Sequence, residues 1–105
     1  MNKRIKKKKG LSKIRKEELY DLNITLSKYI LPRLKAYRKM DKIGYPFRFN
    51  SVDEWNKALD KMILSFEFIL KGANYSMSTD EFIEYSEKYE EGMKLFSEYF
   101  SCLWD

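Results

Sequence analysis

Between about Lys13 and Met40, apolar side chains recur at Leu19, Leu22, Leu26, Tyr29, Ile30, Leu34, Tyr37 and Met40. Steps of three and four residues put them on one side of a helix, so the pattern predicts a helix that buries this face. Pro32 falls in the middle, where its ring clashes with the Lys28 carbonyl and must either kink the helix or open a second one. The apolar face keeps its register across Pro32, which favours one continuous, kinked helix. Residues 42–50 lose the helical period and contain Gly44, Pro46 and Asn50, which predicts a loop. Its Ile43, Tyr45, Phe47 and Phe49 predict that the loop packs down onto the fold.

Two capping boxes follow. Ser51-Val52-Asp53-Glu54 opens a helix burying Trp55, Leu59, Met62, Ile63, Phe66, Ile69 and Leu70, with Gly72 placed to close it. Ser78-Thr79-Asp80-Glu81 opens a last helix through Phe82, Ile83, Tyr85, Tyr89, Met93, Phe96, Phe100, Leu103 and Trp104. Gly92 interrupts that helix at a cost of up to about 1 kcal/mol relative to Ala, which points to close approach of another backbone or of Trp55, the alternative being an accident of sequence with no packing role. No stretch alternates like a strand. The predicted fold is all-α, a small three-helix bundle.

Composition narrows the chemistry. A chain of 105 residues is one domain's worth and buries about two-thirds of its unfolded surface. Its one cysteine, Cys102, forms no disulfide framework, and the absence of histidine removes histidine-dependent triads, bases and metal sites. Asp53, Glu54, Asp60 and Glu67 are carboxylates of the kind that hold magnesium, but Asp60 and Glu67 read as the solvated side of a helix. No apolar run approaches the ~18 residues of a membrane span. The expectation is a soluble, cytoplasmic, non-enzymatic domain with no cofactor and no metal.

Charge is divided along the chain. Residues 1–42 carry 15 basic and 4 acidic side chains, a balance of +11, and residues 43–105 carry 6 and 12, a balance of −6. Each half therefore presents its own field. Lys3, Arg4, Lys6, Lys7, Lys8 and Lys9 crowd the first ten residues, too polar a stretch to offset its ordering entropy. Residues 1–12 are predicted to be a flexible basic arm and residues 13–105 a single helical domain.

Two surfaces are candidate binding sites. The arm, assisted by Arg33, Lys35 and Arg38, has the chemistry to neutralise a nucleic-acid backbone, alone or in a nucleoprotein. Six phosphate contacts imply a salt slope of about −5 on duplex DNA. With no base-reading side chain beyond Asn2, binding is expected to be indifferent to sequence. The bland alternative is a solubilising tail, and a charged run on a helix is ordinarily its solvated face. The second surface is the acidic last helix, where Glu84, Glu87 and Glu91 are the candidate contacts to a basic groove on a host or phage protein. Its bland counterpart is internal pairing with Lys and Arg of the first helix.

Several stretches also carry a resemblance. Gly44-Tyr45-Pro46, Ser51 to Ile63 with Ser65-Phe66-Glu67, Glu91 to Phe96 with Tyr99-Phe100, Leu103-Trp104-Asp105 and Ile30 to Lys35 together resemble small uncharacterised proteins of bacteriophages and prophages. The lysine-rich opening is similar too. The resemblance implies a setting, a bacterial cytoplasm or a phage particle, and carries no functional residue with it. It leaves open a virion component, for which an oligomer through the apolar C-terminal residues would be the sign.

Overall fold

The computed structural model describes residues 13–71 and 77–104. They form helices α1 (Lys16–Tyr20), α2 (Leu22–Lys39), α3 (Val52–Lys71) and α4 (Thr79–Tyr99), followed by a 3-10 turn at Phe100–Cys102. The fold is all-α, with no strand among the described residues.

Both capping serines act as the sequence predicts. Glu54 N–H donates to Ser51 Oγ and Glu81 N–H to Ser78 Oγ, each at 3.2 Å. The Glu54 carboxylate reaches back one residue further than the usual box and accepts the Asn50 N–H at 2.6 Å. Gly72, expected to close α3, lies outside the described residues.

The first predicted helix is two helices, and the break lies at Asp21 rather than at Pro32. Asp21 has φ −122° and ψ 62°, and its carbonyl accepts the first amides of α2, Ile24 N–H at 2.9 Å and Thr25 N–H at 3.0 Å. Pro32 sits exposed inside an uninterrupted α2.

Helix α3 is the middle of the molecule because its apolar arc is wide enough to face two neighbours at once. Six of the eight buried apolar residues belong to it, namely Trp55, Ala58, Leu59, Met62, Ile63 and Phe66; the other two are Leu31 and Leu34 of α2. Helix α4 contributes half-buried side chains, among them Met93, Phe96 and Tyr99, and one buried residue, Gly92. A Cβ on Gly92 would overlap Ser65 Oγ and the Lys61 carbonyl, so the close approach is to the backbone of α3 and not to Trp55. At this contact the Ser65 hydroxyl donates across the interface to the Tyr89 carbonyl at 2.8 Å.

α2 and α4 each pack on α3 and hold apart from one another, with no Cα of one within 8 Å of a Cα of the other. This arrangement exposes much of the face of the first helix that periodicity assigns to the core. Leu19, Leu22, Leu26, Tyr29 and Met40 are exposed, while Ser27, Leu31 and Leu34 face α3. On α4, Phe82 and Ile83 are likewise exposed. Of the loop's four apolar side chains expected to pack down, Phe49 is the one packed against the core cluster. The Phe49 ring packs at a tilt against Trp55 and Tyr99 with ring centroids 5.3 and 5.1 Å away, whereas Ile43 and Phe47 are more than nine-tenths exposed. After α4, Cys102 and Leu103 join the edge of the core; Phe100 and Trp104 stay open to solvent, although the Trp104 carbonyl accepts the Tyr37 hydroxyl at 3.2 Å.

Candidate functional site

The six cations of the arm, Lys3, Arg4, Lys6, Lys7, Lys8 and Lys9, lie outside the described residues. The three helical cations expected to assist them take up different roles. Arg38 makes a two-point contact with Asp60 of α3, Nε to Oδ1 at 2.8 Å and an Nη to Oδ2 at 3.3 Å. Lys35 pairs with Glu67 of α3 at 3.4 Å. Each thus meets a carboxylate from the helix on which α2 packs, and its charge is compensated before any polyanion arrives. Arg33 points another way. Its guanidinium lies 3.7 Å from the centroid of the Tyr29 ring and donates to the Tyr29 carbonyl at 2.9 Å, and it forms no ion pair among the described residues.

Five other cations of the first half have no side-chain ion pair among the described residues. Lys13, Arg15 and Lys16, where the described chain begins, are exposed and make no ion pair among the described residues, as are Lys28 and Lys39 on the outer side of α2. Lys28, Lys35 and Lys39 recur at helical spacing, so they form one outward stripe with its middle member paired.

On the acidic helix, Glu91 pairs with Lys61 of α3 at 3.2 Å and Glu84 with Lys88 of its own helix at 3.4 Å. Internal pairing exists, but its partners are α3 and α4 and not the first helix. Glu87 is exposed and makes no ion pair among the described residues. The four carboxylates weighed for magnesium are divided between a cap, two ion pairs and solvent, and no cluster of three or more metal-ligating side chains occurs among the described residues. No helix there is long and apolar enough to cross a membrane.

Sequence reasoning did not find the open groove between α2 and α4. It has a volume of about 400 Å³ and is walled by Tyr29, Ile30, Arg33, Leu34 and Tyr37 on one side and Phe96, Phe100 and Leu103 on the other. Apart from Arg33, its residues appear in the sequence as ordinary core positions, and only the distance between the two helices separates them from a closed core. No known protein family, curated protein or solved structure matches this chain.

Proposed function

We propose that this chain is a non-enzymatic binding module that engages nucleic acid, or a nucleoprotein, through the basic arm and the cations where the helical domain begins. The observation that carries the reading is that the side chains of Lys13, Arg15 and Lys16, which continue the six cations of the first ten residues, make no ion pair among the described residues; the Glu18 carboxylate accepts only the backbone N–H of Arg15. Uncompensated cations release counterions from a phosphate backbone, and compensated ones do so only after breaking a pair. The reading therefore gives Lys35 and Arg38 a smaller share than the arm. Binding is electrostatic and blind to sequence. The resemblance to phage proteins supports a setting in an infected bacterium or a virion.

Fluorescence anisotropy of labelled single- and double-stranded oligonucleotides across a salt titration tests this. Replacing Lys3, Arg4, Lys6, Lys7, Lys8 and Lys9 together by Gln in the full chain should remove most of the affinity and flatten a duplex salt slope of about −5. Unchanged binding by the substituted chain sinks the reading.

A second reading has its own support. Phe82 and Ile83 are exposed beside Glu81, Glu84 and Glu87, a mixture of apolar and acidic groups suited to a basic protein surface. In an adaptor or inhibitor of that kind, neutralising Glu84, Glu87 and Glu91 abolishes a pull-down of its target without unfolding the chain.

A further inference from the structure

Helices α2 and α4 stand on either side of α3 as the two diagonal helices of a four-helix bundle stand beside a shared neighbour. Their facing walls, Tyr29, Ile30 and Tyr37 on α2 and Phe96 of α4 with Phe100 of the turn that follows it, enclose an apolar groove open to solvent. The α2 wall extends beyond it, because Leu22 and Leu26 are exposed and precede Tyr29 and Arg33 at steps of four, three and four. From Leu22 to Tyr37 the strip is roughly 22 Å long at 1.5 Å per residue, about four helical turns.

The charge in the groove is of one sign. Arg33 is the single ionisable cation or carboxylate in its lining, and unlike Lys35 and Arg38 it faces no carboxylate among the described residues. Stacking on Tyr29 holds the guanidinium at the groove's edge with donors left over, since only one is taken by the Tyr29 carbonyl. We infer that the groove is a docking site for an amphipathic helix of a partner protein, which lays an apolar stripe between α2 and α4 and sets a flanking Asp or Glu against Arg33. The charge of Arg33 argues against the other occupants. A second copy related by a two-fold axis along this strip brings Arg33 toward its own counterpart. Residues 1–12 carry six cations within their first nine positions, the wrong sign for the same place. None of the six arm cations is among the groove's lining residues, so replacing them tests nucleic-acid binding without changing the groove, whereas Arg33 is a candidate contact in both readings.

The probe is a labelled synthetic helix of about 15 residues, the length at which an isolated helix becomes viable. It carries Leu at helical spacing and Glu on the flanks, and its twin carries Lys in place of Glu. Against the full chain in about 0.15 M salt, the Glu peptide should bind about tenfold or more tightly than its twin. Arg33→Glu should invert that preference, and Phe100→Lys, at an exposed position, should abolish binding of both with the far-UV circular dichroism unchanged. The arm substitutions to Gln should leave peptide binding intact. Three results overturn the inference: no binding of the Glu peptide, equal binding of both peptides whatever stands at position 33, or a concentration-dependent dimer that Phe100→Lys dissolves, which assigns the groove to a second copy.

Discussion

Gly92 of α4 rests against the backbone carbonyl of Lys61 on α3, with Ser65 Oγ beside it. No side chain fits there without moving backbone, because a carbonyl in the middle of a helix cannot swing aside as the end of a long side chain can. Ala at position 92 gains up to about 1 kcal/mol of helix propensity and loses about 1–3 kcal/mol to overpacking. Gly92→Ala should therefore lower the urea midpoint. Gly44 offers the control, with nothing within 4 Å of its Cβ position and no left-handed backbone, so Gly44→Ala should be neutral or slightly stabilising.

Ser65→Ala removes the hydroxyl that crosses to the Tyr89 carbonyl at 2.8 Å, with an expected cost of about 1 kcal/mol in chemical denaturation. The same substitution clears one of the two overlaps facing a Cβ at position 92. Combined with Gly92→Ala it should recover only part of the loss, since the Lys61 carbonyl stays in place.

The two stripes of α2 should respond differently to truncation. Leu31→Ala and Leu34→Ala delete buried side chains and should each cost about 2–5 kcal/mol. Leu22→Gln and Leu26→Gln change residues that are 45% and 50% exposed and should shift stability by no more than about 0.5 kcal/mol. Equal losses at all four positions would mean that α2 is packed on both sides.

Releasing compensated cations tests the nucleic-acid reading from the opposite direction. The Arg38–Asp60 pair is partly exposed and contributes at most about 1 kcal/mol to stability. Asp60→Asn combined with Glu67→Gln should then leave the fold intact and free Arg38 and Lys35. If these residues flank the bound strand, oligonucleotide affinity rises and the salt slope steepens by about one per new phosphate contact.

The two tryptophans provide a direct optical check. Trp55 is 1% exposed within the Phe49–Tyr99 cluster and Trp104 is 75% exposed. Acrylamide should quench the intrinsic fluorescence in two phases, and Trp104→Phe should remove the accessible one. A single phase in the native chain contradicts the burial of Trp55.

Local chemistry made much of this fold legible. Ser51 and Ser78 mark their helix starts because an N-cap oxygen satisfies amides only a few residues away, an interaction complete within one turn. The core face of α3 was readable for a related reason: Trp55, Leu59, Met62, Ile63 and Phe66 fall on one arc with no competing apolar stripe. The break at Asp21 carries no Gly or Pro, and the apolar period continues across it, so spacing alone runs the two helices together. Gly92 announced a close approach by its cost within a helix, without saying which atoms come close.

By itself, the sequence determined an all-α chain, the starts of α3 and α4, the residues of the central helix that leave water, and the division of charge between its halves. Each follows from interactions within a turn or two of the backbone, or from composition. Tertiary structure decided which of two adjoining apolar stripes on α2 is buried, which cations meet carboxylates, and that a groove lies between α2 and α4. Those outcomes depend on the distance and rotation between helices far apart in the chain. Periodicity shows that a face is apolar, and only packing determines what, if anything, lies against it.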